Sequence, residues 1–292
     1  MHEIQLYKLT AIFALALVGL VGCGGGGGGG SSSPATKTGY FIDSAVEGME
    51  YTSGSTTGIT GADGSFKYEE GKPITFKLGN MTLGSVTVSN PRVFPVDLVN
   101  GATDEQNDNV TLIAQVLQTL DSDGDPSNGI TILPSTRQSM TQTVNLATTN
   151  AAQATTAFAQ GLSTATNGTV SMVTAANAKH HLQGNLLQEY LGTWTGTYSG
   201  NDSGTCTIQI GYSTNTPAGV AYTTGTCTSN QFSAQQGGVG TLNAMQFPSS
   251  GTFQGSLTTG VAFTGQFTRK GTMSGTWVSG NSYSGSWTLT KQ

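Results

Sequence analysis

Asp121, Asp123 and Asp125 stand at alternating positions in the run Asp-Ser-Asp-Gly-Asp-Pro-Ser-Asn-Gly. Several carboxylate oxygens on a tight turn are what a hard cation such as calcium requires. The twelfth position counted from Asp121 is Ile132, so further oxygens would have to come from Asp104, Glu105 or Asp108. The same residues suit an Asp/Gly/Asn-rich turn that ends a helix, and the residues alone leave both readings open. His180 and His181 are adjacent. On a helix, neighbours point about 100° apart, so the pair is a poor shared metal site and reads as solvated surface. There is no Gly-x-Ser-x-Gly elbow for a nucleophilic serine. Between Leu191 and Gln292 the only carboxylate side chain is Asp202, which excludes paired-carboxylate glycoside hydrolysis there. Cys206 and Cys227, each in Gly-Thr-Cys-Thr, are expected to form a disulfide, which removes a thiol nucleophile. No catalytic set emerges, and a non-enzyme is expected.

The elements that position these residues are mainly β. From residue 191 to 292 a unit of the form large-x-Gly-x-large recurs. It reads Trp194-Thr-Gly196-Thr-Tyr198, Phe253-Gln-Gly255-Ser-Leu257, Phe263-Thr-Gly265-Gln-Phe267, Met273-Ser-Gly275-Thr-Trp277 and Tyr283-Ser-Gly285-Ser-Trp287. Alternate residues of a strand share a face, so each unit turns two bulky groups and a glycine inward, with Thr, Ser or Gln outside. An inward glycine lets a strand bend sharply, as a tight barrel requires. Strands near Cys206–Ile210, Ala218–Thr224 and Gly238–Phe247 bring the count to about eight, an antiparallel meander barrel. The polar outer face argues against a membrane-spanning barrel. Cys206 is in phase with Ile208 and Ile210, whereas Cys227 is out of phase with Val220 and Tyr222; a bulge at Gly225 would reconcile the two strands. Trp194, Trp277 and Trp287 read as core more readily than as a sugar platform.

Residues 101–190 carry helical spacing instead. Val110, Ile113, Leu117 and Leu120 recur on one face, widened by Leu112 and Val116, and the helix runs into the aspartate turn. Ala151–Leu162 and Thr174–Tyr190 suggest two more helices. They form a small helical layer, packed on a neighbouring β-module or bridging two of them. Residues 39–100 hold short strands separated by turn signals, among them Ala62-Asp63-Gly64 between apolar alternations, which predicts a hairpin within a β-sandwich.

The N-terminus has an apolar run from Ala11 to Gly22, too short to span a bilayer comfortably, ending in Leu20-Val21-Gly22-Cys23. This resembles the bacterial lipobox, in which a small residue precedes a cysteine that is lipidated and becomes the mature N-terminus. The resemblance implies a signal peptide over 1–22, a fatty-acid anchor on Cys23 and the membrane as partner. With Gly24 rather than Asp after the cysteine, it implies the outer membrane, on its periplasmic face or at the cell surface. Residues 23–38 follow as a Gly/Ser-rich tether, a flexible coil that cannot bury a core. The run Gly39-Tyr-Phe-Ile-Asp-Ser-Ala-Val-Glu-Gly48, with Gly61-Ala-Asp-Gly-Ser-Phe66 and Gly79-Asn-Met-Thr-Leu-Gly84, resembles the first module of many Gram-negative surface lipoproteins. It is also similar to the prealbumin-like sandwich of carboxypeptidase-regulatory domains. Gly192-Thr193-Trp194 resembles the Gly-x-Trp that opens lipocalin and avidin-like barrels.

The net charge is −5 and no basic stripe is present, so nucleic acid is not an expected partner. Two functions from different classes fit: a non-enzymatic envelope scaffold or binding module, and a carrier of a small apolar or aromatic ligand inside the barrel. Interior volume separates them, because a carrier needs about 300 Å³ or more.

Overall fold

A computed structural model describes residues 34–212, 220–231, 239–280 and 282–292. Cys23, the apolar run before it and most of the tether lie outside the described residues, as does the Asn215–Gly219 loop. Pro34–Gln292 form one compact unit, which contains the disulfide and both hydrophobic cores.

The first β-layer is made by β1 (Thr36–Phe41), the short β2 (Val46–Glu47), β3 (Glu50–Ser53), β4 (Thr56–Ile59), β5 (Ser65–Glu69), β6 (Pro73–Leu78), β7 (Met81–Thr87) and β8 (Arg92–Val93). One sheet runs β5-β1-β8 and the other β4-β3-β6-β7. Alternation buries Phe66 and Tyr68 on β5 and Ile74, Phe76 and Leu78 on β6. Rings from the two sheets interlock: Phe41 and Phe66 meet Phe76 edge-on at 4.8 and 5.1 Å between centroids. The expected turn is present, with Gly64 at φ +76° and its N–H donating to the Gly61 carbonyl at 2.8 Å.

The helical layer closes this core. α1 (Asp108–Thr119) is capped by Asn107, whose side chain accepts from the Asn109 and Val110 amides. It buries Val110, Leu112, Ile113, Val116 and Leu117, the stripe expected from their spacing. A short strand, β9 (Ile130–Thr131), then pairs in parallel with β2 and ties the region back to the sandwich. α2 (Pro134–Ser139) is a single unforeseen turn opened by a proline at its first position. α3 (Ala151–Thr166) and α4 (Ala175–Gln188) follow. One apolar core extends from Phe41 to Leu186, so the helices pack on the sandwich. Leu187 and Tyr190 at the end of α4 join the second core, so the layer bridges as well.

That second core lies in a curled antiparallel half-barrel. Its strands are β10 (Gly192–Gly200), β11 (Gly204–Tyr212), β12 (Ala221–Ser229), β13 (Val239–Thr241), β14 (Met245–Phe247), β15 (Thr252–Ser256), β16 (Ala262–Phe267), β17 (Thr272–Ser279) and β18 (Tyr283–Lys291). They run β13-β12-β11-β10-β18-β17-β16-β15, with β14 also on β12. The strand expected at Gly238–Phe247 is two strands, which is why there are nine. Thr241 pairs with Thr226 and Met245 with Thr223, four steps against three. The extra residue turns the chain so that Leu242 bridges Leu257 and the Asn243 amide reaches the Ser256 carbonyl at 2.9 Å. These bonds join the two ends of the sheet.

Cys206 and Cys227 are direct cross-strand partners, bonded through sulfur with their Cα atoms 4.1 Å apart. The bulge expected at Gly225 is absent: Ile208 pairs with Gly225 and Ile210 with Thr223 without a slip. The inward residues of β12 are Ala221, Thr223, Gly225 and Cys227. The bulkier Tyr222 faces out, and the small Ala221 and Thr223 are fully buried beside larger neighbours.

The repeating glycines have a second use beyond bending. Gly275 pairs with Trp287, and Gly285 pairs with Trp277. The Trp287 indole lies across Gly275 and donates to the Thr264 carbonyl on the strand beyond, at 3.1 Å. The Trp277 indole crosses Gly285 to the Ser199 carbonyl at 3.0 Å. A Cβ at Gly275 would sit 2.6 Å from the Trp287 indole nitrogen, and one at Gly285 would sit 2.5 Å from that of Trp277. The glycines are therefore slots for neighbouring tryptophans, which satisfy their N–H groups two strands away.

Candidate functional site

The half-barrel interior is filled toward its sandwich end. Trp194, Phe247, Phe253, Phe267 and Trp287 stack edge-on there with centroids 4.8–6.2 Å apart. Trp194 also donates its indole N–H to the Tyr190 carbonyl at 2.8 Å. At the other end the packing stops and a cavity of about 310 Å³ opens, floored by Cys227 and Phe263 and walled by Leu257, Val261 and Trp277. Tyr283, 57% exposed, stands at its rim.

The polar side of this cavity is built on the turn between β10 and β11. Asp202 accepts from the Tyr198 hydroxyl at 2.9 Å through Oδ2. Through Oδ1 it accepts from the Ser203 amide at 2.7 Å and the Ser229 hydroxyl at 2.9 Å. Tyr198 is held in place by Gly204 opposite, where a Cβ would lie 2.7 Å from the ring, and by an edge-on contact with Trp277 at 5.8 Å. Burial, and then the Asp202 carboxylate, push the Tyr198 hydroxyl up to about 12, so it stays a donor at neutral pH. Among the described residues the site offers aromatic rings, several hydroxyls and one carboxylate, which holds the Tyr198 and Ser229 hydroxyls. Asp202 was legible as the only carboxylate of the β-repeat region; its partners Tyr198 and Ser229 had no sequence signal beyond strand phase.

A second polar group lies in the first core. Asp43 is fully buried, with Gln118 Nε2 donating to Oδ2 at 3.0 Å and, among the described residues, nothing donating to Oδ1. Its neighbour Ser44 has φ 57°, a left-handed conformation that non-glycine residues rarely adopt. His181, expected to be solvated, is instead only 18% exposed and folds against both, while His180 is exposed as expected. Its Nε2 lies 3.2 Å from Ser44 Oγ, 3.3 Å from the Asp43 carbonyl oxygen, 3.1 Å from Asn185 Nδ2 and 3.8 Å from Asp43 Oδ1. In a catalytic triad the carboxylate orients the ring through the nitrogen that the serine does not use. Here serine and carboxylate converge on one nitrogen, so the group is not a Ser-His-Asp relay. Desolvation holds His181 below its ordinary range and raises Asp43 to about 7.

Asp121, Asp123 and Asp125 lie in the loop after α1, and each accepts a bond from that loop or from β9, while Asp121 Oδ2 is buried with no hydrogen-bond partner among the described residues. Asp121 takes the Thr131 amide at 2.9 Å, Asp123 takes the Asp125 amide and the Asn128 side chain, and Asp125 takes the Ser127 amide and hydroxyl. Among the described residues no three His, Cys, Asp or Glu side chains form a group able to hold a metal ion. Glu105, a suggested extra ligand, is buried and accepts from Ser249 of the half-barrel at 2.5 Å and from Gln106 at 2.9 Å. Arg269 joins the same two layers. Its guanidinium forks onto Asp97 and lies 4.9 Å from the centre of the Phe94 ring.

Compared with family models, curated proteins and solved structures, the chain matches none of them.

Proposed function

We propose that the protein is a membrane-anchored envelope lipoprotein, not an enzyme, whose half-barrel binds a small molecule with an apolar or aromatic body. The observation that carries the binding reading is the cavity of about 310 Å³ at the half-barrel's open end, beside an otherwise filled core. Its volume reaches the size expected of a carrier rather than a packed scaffold. The anchor rests on Cys23 and the residues before it. The polar tether after it would let residues 34–292 act a short distance from the outer membrane.

Both halves have a test. Labelled palmitate should enter the wild-type chain and not Cys23→Ala, which should accumulate as precursor. Label in the variant refutes the anchor. A soluble chain beginning at Thr36 should bind one equivalent of the apolar fluorophore 1-aminoanthracene, with energy transfer from Trp277. Tyr283→Ala should weaken this about fivefold, the order expected for one aromatic contact. Unsaturable binding, or full affinity in the variant, would return the half-barrel to a scaffold role.

A further inference from the structure

The half-barrel is electrically lopsided. Within residues 191–292 the only acidic side chain is Asp202, and the only basic ones are Arg269, Lys270 and Lys291. The three cations lie at the end facing the sandwich. Arg269 is forked onto Asp97, Lys291 Nζ donates to the Glu189 carbonyl at 2.8 Å, and Lys270 shares the β16–β17 turn with Arg269. Asp202 lies past the end of β10, at the opposite end, beside the cavity. Lys291 pairs with Trp194 at the start of that same strand, which fixes the polarity of the arrangement. No cation of the half-barrel can reach the carboxylate. The segments 213–219, 232–238 and 281 contain no charged residue, so they add none.

Two donors beside the cavity are committed. The Tyr198 hydroxyl points to Asp202, and the Trp277 indole N–H points to the Ser199 carbonyl. The cavity is lined by the rings of Tyr198, Phe263, Trp277 and Tyr283, by one carboxylate, and by the hydroxyl-bearing Ser229, Thr259 and Ser279. Aromatic faces are the negative side of the ring quadrupole and attract a cation placed over them. A carboxylate takes a charge-assisted bond from an ammonium group more strongly than any neutral bond.

We propose that the ligand is a small organic cation, an amine or methylated ammonium on an apolar or aromatic body, whose charge sits between Asp202 and the rings of Tyr198 and Trp277. This rests on the reading of the cavity as a ligand site and names the class of ligand.

The test uses three probes of one shape: 3-phenylpropylamine, 3-phenylpropanol and 3-phenylpropionate, titrated by calorimetry into the chain beginning at Thr36. The amine should bind at least about tenfold more tightly than the alcohol, and the acid most weakly. Asp202→Asn should bring the amine-to-alcohol affinity ratio to about one, whatever it does to the alcohol itself. Ser279→Lys, a second variant at the cavity wall, should weaken the amine about tenfold more than the alcohol, which keeps the test decisive if the first variant does not fold. Equal binding of the three probes, or an amine preference that survives Asp202→Asn, overturns the cation assignment and leaves the ligand site standing. Saturation by none of the three overturns the site as well.

Discussion

Asp43→Asn should make the protein more stable at pH 8 by about 4 kcal/mol, with no gain at pH 4. Burial raises the Asp43 carboxyl from 3.8 to about 7, and every tenfold weakening of the acid corresponds to about 1.4 kcal/mol. The sign follows from proton counting. Between about pH 4 and 7 the folded chain keeps a proton on Asp43 that the unfolded chain has lost. Stability therefore falls as pH rises through that window and levels off above it. Asparagine keeps an oxygen for Gln118 Nε2 and has no charge to desolvate. His181 works in the opposite sense, since a histidine held below its ordinary value loses stability as pH falls through about 6.5. His180 and Asp125 act on it from nearby. His181 is present in both proteins but lies 3.8 Å from Asp43 Oδ1, so the difference between their stability curves reports Asp43 together with its effect on His181. Urea midpoints from pH 4 to 9 would show this difference opening with pH; parallel curves would contradict it.

The second large effect is at the half-barrel. Replacing both Cys206 and Cys227 by serine should destabilise it by about 3 kcal/mol, because the bond closes a loop of 21 residues in the unfolded chain. In a unit of this size that is a fall of roughly 8 °C in Tm. The bond lies in the β11–β12 pair toward one end of the strand order, and Cys227 also floors the cavity, so the variant should lose affinity for the fluorophore. Dithiothreitol should reproduce both effects in the wild-type protein and neither in the variant. A reduced protein with unchanged Tm would show that the bond does not hold the sheet.

Period was the strongest signal in the sequence. The stripe Val110-Ile113-Leu117 marked α1, and the large-x-Gly-x-large units marked five of the nine half-barrel strands. The disulfide followed from two matching tetrapeptides. What failed had physical causes. Size misjudged facing on β12, where small Ala221 and Thr223 go inward because bulky neighbours already fill the core. One inserted residue split the strand expected at 238–247, and a backbone bridge between Leu242 and Leu257 leaves no compositional mark. His181 looked solvated because its partners, Asp43 and Ser44, are 137 and more residues away in sequence. The carboxylate of the cavity was visible, and the rings around it were read as core first and as the lining of a carrier second. They are both: Trp277 is 3% exposed and still lines the cavity wall.

Native mass spectrometry of the protein released from the envelope of cells that make it tests the central claim most directly. The wild-type chain should carry one small molecule, and Thr259→Trp, which plugs the cavity mouth without touching the filled core, should carry none. A wild-type chain with no bound molecule, or a bound molecule retained by the plugged variant, would contradict a ligand site in the half-barrel.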